Sequence, residues 1–297
     1  MSEHTASRRE GQLRRVLSAL RHDPLALTGT AVLVLLVVVG VAGPWLAPSG
    51  INEVDVDRML QPPSWSHPFG TDELGRDVLS RVMIAARVSL QVGLVSVGIA
   101  LLAGVTLGLL AGYYRGWLDN LLMRCMDVLF AFPVLLLAVA IVAVLGPGLL
   151  TAMVAIGVVY TPIFARVTRA GVLSVREQVF VRAAVSIGAS DLRIIGRHVL
   201  PNIAAPLIVQ TSLSLAFAIL SEAALSFLGL GVQPPEPAWG RMLFDGRGFV
   251  TEAWWLGFFP GAAIFLTVLA FNLVGDALRD VLDPRQLTVS EARRSTA

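Results

Sequence analysis

The sequence contains no lysine: all 23 of its basic residues are arginine. A phosphate-binding loop of the GxxxxGK[ST] type needs its lysine to reach the phosphates, so this chain carries no such nucleotide site. Schiff-base chemistry on a lysine side chain is excluded on the same ground. Cys125 is the single cysteine, which rules out a disulfide within the chain; at the start of an apolar segment it reads as a small apolar filler. The four histidines, His4, His22, His67 and His198, lie far apart, and there is no HExxH, CxxC or GxSxG. Nothing in the sequence marks a metal site or a catalytic constellation. Charge of either sign is also scarce, at 15% of residues against about 25% in soluble domains.

Apolar residues take the place of charge and make up 55% of the chain. Charge-free runs extend over residues 24–52, 88–114, 128–165, 198–221 and 253–275. A bilayer crossing takes about 20 apolar residues at about 1.5 Å each, so every run is long enough. Gly146-Pro147-Gly148 divides the long third run in two. Six transmembrane helices are predicted, over residues 25–47, 88–113, 122–145, 149–171, 203–231 and 255–278. The fold class is an all-α membrane protein. The first run is too long for the apolar region of a cleaved signal peptide and reads as an anchor.

Arginine is unevenly distributed along this pattern. Arg8, Arg9, Arg14, Arg15 and Arg21 precede the first span, and Arg115 and Arg124 lie between the second and third. Arg166, Arg169, Arg176, Arg182, Arg193 and Arg197 follow the fourth; Arg279, Arg285, Arg293 and Arg294 follow the sixth. The opposite side holds only Arg58, Arg76, Arg81, Arg241 and Arg247, with Arg87 at the start of a span. Cytoplasmic segments carry the excess of positive charge, so both termini are expected in the cytoplasm. The net charge of +2 is no sign of nucleic-acid binding, because these arginines flank membrane segments without interleaved aromatics. Topology and contact with anionic lipid account for most of them.

The loop between the fourth and fifth spans carries the most information. Its sequence reads as two short helices joined at Gly188, where glycine suits a left-handed end to the first. Ser190 is placed to cap the second, Asp191 to complement its positive end, and Pro201 to stop it before the next span. Ala183 and Ala184 remove bulk and permit close approach to a neighbour. Ala183, Ala184, Gly188, Leu200 and Pro201 fall at the spacing of the EAA loop of bacterial ABC importer permeases, which this segment resembles. Arg182 stands where that family often has Glu, and His198 where it has an apolar residue. His198 itself reads as a partly solvated histidine at a helix end rather than a pH sensor.

Four further segments narrow the resemblance. Residues 67–81, HPFGTDELGRDVLSR, are similar to the N-terminal signature of the second permease subunit of dipeptide, oligopeptide and nickel importers. Arg87, Ser89 and Leu90 continue that signature, while Ala85 replaces a glycine. Read on its own, the segment is a turn-rich cap in which Asp72, Glu73, Arg76, Asp77 and Arg81 form an ion-pair network. MDVLFAFP (126–133) places a carboxylate at the inner end of the third span and a proline inside it. SEAALSFLGLG (221–231) places Glu222 within the fifth, and FNLVGDALRDVLDP (271–284) closes the sixth.

The resemblance implies a type I ABC importer permease bundle in the bacterial inner membrane, with no catalytic site of its own. It divides the chain into a cytoplasmic arm (1–24), a first helix (25–47), an extracytoplasmic segment (48–87), a five-helix core (88–285) with its coupling loop (180–201), and a tail (286–297). It implies a homologous second permease, two cytoplasmic ATPases that hold ATP and Mg, an extracytoplasmic binding protein and surrounding lipid as partners. The loops 48–87 and 232–254 are the expected docking surfaces for the binding protein, with Trp239, Trp254 and Trp255 as contacts or interfacial anchors. Arg182, Ala183, Ala184, Gly188, Ser190, Asp191, His198, Leu200 and Pro201 are the expected coupling residues. Glu222 has two readings: part of the pathway or outer gate, or a structural hydrogen bond to a neighbour. Peptides are the expected cargo, with nickel, glutathione or another small solute as the alternative within the family. A self-contained channel or secondary transporter is the alternative of another class.

Overall fold

The computed structural model describes residues 23–282. The arginines of the N-terminal arm and the tail beyond Leu282, Arg285 included, lie outside the described residues. Among the described residues the chain is all-helical, with α1 Pro24–Leu46, α2 Val78–Tyr114, α3 Gly116–Phe130, α4 Val134–Leu145 and α5 Leu149–Arg176. There follow α6 Val179–Ser186, α7 Asp191–Ile194, α8 Leu200–Phe227, α9 Trp239–Gly246 and α10 Trp255–Leu282. Five unbroken segments are long and apolar enough to cross a membrane: α1, α2, α5, α7 through α8, and α10.

The sixth crossing predicted over 122–145 is a bent pair: α3 and α4 meet at 93°. Pro133 precedes α4 rather than lying inside a helix. Without an N–H, and with its ring against the preceding residue, proline cannot continue α3, so the apolar run breaks at Ala131-Phe132-Pro133. The second span also departs from its predicted start, because α2 runs back to Val78. Arg81, which reads as a boundary in sequence, is buried inside the helix, with its Nη1 donating to the Ile51 carbonyl at 2.9 Å.

The bundle is assembled on small residues. Gly104, Gly108 and Gly112 recur every fourth position on α2, so they share one face. A Cβ at Gly104 would lie 2.5 Å from the Phe164 Cβ, and one at Gly108 2.5 Å from the Ala165 carbonyl oxygen. One at Gly112 would lie 2.8 Å from the Val172 Cβ. Helix α5 thus meets α2 almost backbone to backbone, the small-residue seam by which helices associate in lipid. Helix α1 is apolar all round and buries only Ala26, Gly29, Gly40 and Gly43, placing α10 against Gly29 and α2 against Gly40.

One end of the bundle is closed by residues 47–77 and 228–254. Asp77 caps α2, its Oδ2 accepting from the Ser80 amide at 2.8 Å and the Ser80 hydroxyl at 2.6 Å. Its Oδ1 accepts from His67 Nδ1 at 3.0 Å, and Arg58 Nη1 donates to His67 Nε2 at 3.2 Å. A guanidinium only donates, so in this arrangement Nε2 accepts from Arg58 while Nδ1 donates to Asp77. Asp72 Oδ2 pairs with Arg76 at 2.7 Å and lies 3.6 Å from Arg81, while Glu73 takes Arg76 Nη2 at 3.1 Å. Of the ion-pair network predicted for this segment, Asp72, Glu73, Arg76 and Arg81 are joined, while Asp77 bonds His67 and Ser80 instead.

Trp239 and Trp255, expected as docking contacts or interfacial anchors, are instead buried. Their indole N–H groups donate to the carbonyls of Val82 and Thr71, both at 3.0 Å. A buried indole takes a partner, and each of these pins the cap to the bundle. Trp254 alone of the three is exposed.

Candidate functional site

The loop joining α5 to α8 lies at the other end of the bundle. Helix α5 ends at Arg176, and Gln178 turns the chain into α6. Helix α6 has an apolar face, of which Val181 and Ala184 are buried toward the bundle while Arg182 and Ala183 face away. Gly188 has φ +75° and no atom within 4 Å of a built Cβ, so backbone geometry rather than space requires glycine here. The amides of Gly188 and Ala189 donate to the carbonyls of Val185 and Ala184, closing α6 in a left-handed turn.

Ser190 occupies the N-cap position of α7, but its side chain makes no capping hydrogen bond. Asp191 spends its carboxylate elsewhere: Oδ1 accepts from the Tyr113 hydroxyl on α2 at 2.8 Å. Pro201 does not stop the second short helix. The chain passes through a π turn at Ile195–Val199 and continues as α8, with Pro201 in the first turn. Asn202 Nδ2 satisfies the His198 carbonyl at 2.6 Å. His198 is half-buried, its ring 6.2 Å from that of Phe180, and Leu200 is exposed.

Arg182, where the resemblance expects an acid, reaches Glu177 Oε2 at 2.7 Å. Arg115, just beyond α2, takes the other oxygen of Glu177 at 2.8 Å. Hydrogen bonds from Arg182 first and Arg115 second hold the Glu177 carboxyl below the usual carboxylate range. Several apolar side chains of the loop face solvent: Val179 is 82% exposed, and Ile187 and Leu192 are each 84% exposed. Exposed apolar residues are common singly; here three fall on one short loop.

A sequence model of binding-protein-dependent transport system inner membrane components matches residues 104–288, and a model of the N-terminal transmembrane domain of oligopeptide transport permease C matches residues 11–63. The chain belongs to the binding-protein-dependent transport system inner membrane components. This permease component is 48% identical over 272 residues to a dipeptide transport system permease protein of Alkalihalophilus pseudofirmus, covering 92% of this chain and 90% of that one. It is 43% identical to a probable D,D-dipeptide transport system permease protein of Escherichia coli K12, over 96% and 97% of the two chains. It is also 48% identical to a glutathione transport system permease protein of Escherichia coli, over 89% and 88%. A solved inward facing conformation of the MetNI methionine ABC transporter shares the fold at TM-score 0.59 and 16% identity, over 69% of this chain and 97% of that one. The type I permease bundle expected from sequence is therefore the observed fold, in a multi-pass inner-membrane protein.

Within this permease component the coupling residues expected from sequence fall on one continuous segment, but its polar ties to the bundle go to residues of which the sequence named only Arg115, as a topology signal. Tyr113, Arg115 and Glu177 lie at the junctions of α2 and α5 with the loop. Arg166 and Arg169, read in sequence as topology signals, hold Asp127 at 2.7 Å and Asp119 at 2.6 Å and so fasten α3 to α5. Glu222 is completely buried in α8; its Oε1 accepts from Ser226 Oγ at 2.6 Å, and Ser226 Oγ accepts from the Val232 amide at 3.0 Å.

Proposed function

We propose that this chain is one of two permease subunits of an ATP-driven importer for di- or oligopeptides, with both termini in the cytoplasm. The loop between α5 and α8 seats on a cytoplasmic ATPase subunit and carries its closure into the bundle. The observation that carries this reading is the exposed apolar cluster of Val179, Ile187 and Leu192, on a loop bordered by Arg176, Arg182, Arg193 and Arg197. Positive flanking charge favours the cytoplasmic side, and a water-facing apolar cluster there needs a protein partner. ATP and Mg belong to the ATPase subunits, since this chain lacks a phosphate-binding loop. A binding protein delivers the cargo at the cap, where Trp254 is one exposed contact. Peptide cargo is supported by the relatives named for dipeptides; glutathione, itself a short peptide, is the second reading, supported by the relative named for it.

Within this reading Glu222 acts on the gate indirectly: through Ser226 it holds the chain where it folds back after α8. Glu222→Gln keeps the hydrogen bond to Ser226 through its amide oxygen and is expected to leave uptake within about twofold. A loss of uptake with the fold intact would place Glu222 in the pathway. The reading as a whole is tested by purifying the tagged chain from gently solubilised membranes and identifying what accompanies it by mass spectrometry. A second permease, lysine-bearing ATPases and a binding protein loaded with peptides are expected. Reproducible recovery of the folded chain alone would return the self-contained channel or transporter.

A further inference from the structure

We propose that α2 is the helix that receives the motion of the coupling loop, through Tyr113 and Arg115, and delivers it to the cap. This inference rests on the coupling role given to the loop above. Both ends of the loop grip the same short stretch of α2. At the exit, Asp191 accepts from the Tyr113 hydroxyl at 2.8 Å. At the start, Glu177 accepts from Arg115 Nη2 at 2.8 Å while its other oxygen holds Arg182 of α6 at 2.7 Å. Arg176, the last residue of α5, donates to the Tyr113 carbonyl and lies 5.4 Å from the centre of the Tyr113 ring. Arg115 has φ +56°, disfavoured for a residue with a Cβ, at the point where its guanidinium meets Glu177.

Two features make α2 the stiff route. Its 37 residues contain no proline and measure about 55 Å, longer than the membrane is thick, so one rod reaches both polar layers. The glycine seam fuses its lower half to α5, which leads directly into the loop. Helix α8, the other way out of the loop, begins beyond a π turn containing Gly196, around which a Cβ would meet nothing within 4 Å. That junction is a π turn, whereas the α2 junction is tied by side-chain bonds from the loop. The far end of α2 is held as firmly: Asp77 caps it, Arg81 is buried beside Asp72, and Trp239 of α9 bonds to the Val82 carbonyl. A displacement of Tyr113 therefore arrives at the cap.

The test uses the assembled transporter in the Cys125→Ser background, with spin labels on cysteines replacing Leu74 in the cap and Val144 at the end of α4. Both positions are exposed. ATP is expected to shift the distance between the labels. Tyr113→Phe removes only the hydroxyl, and is expected to move the population about tenfold toward the resting distance while ATP hydrolysis and subunit assembly persist. Asp191→Ala should do the same and the double variant no more, because both remove one bond. Asp191→Asn, which keeps an accepting oxygen, should restore the shift. A normal ATP-induced shift in both Tyr113→Phe and Asp191→Ala would overturn the inference. Its failure is separable from that of the coupling reading: an Ile187→Asp chain that still retains its ATPase removes both, whereas normal movement in Tyr113→Phe beside lost ATPase in Ile187→Asp removes only this one.

Discussion

The cap and the coupling loop invert the usual distribution of residues in opposite ways. In the cap, His67, Asp72, Arg76, Asp77 and Arg81 are charged or polar and buried; in the loop, Val179, Ile187 and Leu192 are apolar and exposed. The cap's charges are matched within the chain, by a shared Asp72, a capping Asp77 and two indole pins. The loop's ion pairs are all at the surface, where exposed pairs contribute little; Val181, Ala184, Ile194 and Val199 seat it on the bundle, but Val179, Ile187 and Leu192 are left exposed. The cap's buried charges are thus met within the chain, while the loop leaves exposed the apolar residues on which the proposed ATPase contact rests. In the proposed importer, a permease held together at its cap and driven through its loop has use for both.

The contrast breaks most visibly at Asp72. Removing its carboxylate by Asp72→Ala leaves Arg76 and Arg81 buried without their common partner, and also strips an acceptor from the amides of Leu74 and Arg76. Breaking a buried pair on one side costs about 3–5 kcal/mol. Thermal unfolding of the purified chain in detergent should show that loss. An unchanged unfolding temperature would mean that the cap's charges are solvated and the comparison false. The loop should respond in the opposite manner to Ile187→Asp. That side chain is largely exposed, so the isolated subunit should keep its stability within about 0.5 kcal/mol. Its hold on an ATPase subunit should weaken by about tenfold or more, read by titration of the purified components. A destabilised subunit with unaltered association would mean that the loop is self-contained.

Much of this was legible because it is local. Apolar runs place the helices, glycine at 188 places the turn, and charges clustered over 67–81 find one another within a few residues. What escaped depends on distance or on backbone geometry that composition conceals. Tyr113 and Asp191 are 78 positions apart, and nothing in either neighbourhood announces the other. The bend at Ala131-Phe132-Pro133 sits inside an uninterrupted apolar run, where hydropathy reports burial in lipid but not direction. Trp239 and Trp255 read as surface aromatics because they lie in loops, yet their N–H groups turn inward to backbone carbonyls. The α2–α5 seam had a readable signal in Gly104, Gly108 and Gly112, whose spacing is that of small-residue helix contacts. Charge-based boundaries obscured the start of α2, since Arg81 is neutralised by partners rather than excluded from the helix.

The finest probe of the difference is Glu73, at the edge of the cap's network. Burial, and after it the neighbouring Asp72 carboxylate, raise its pKa above the ordinary value, and Arg76 offsets this only in part. A raised pKa means that the folded chain holds the proton more tightly than the unfolded chain does. The contribution of Glu73 to stability is therefore greatest below its ordinary pKa, falls as pH rises toward the raised one, and is constant beyond it. Glu73→Gln keeps an oxygen for Arg76 and removes the titration. The variant should be at least as stable as the parent at pH 7, and the gap between them should narrow and reverse toward pH 4. Unfolding temperatures of both proteins across that range, taken as a difference, isolate this one group. A parent that gains on the variant as pH rises would mean that Arg76 outweighs burial at Glu73, and that the cap's charges are matched even more completely than its geometry indicates.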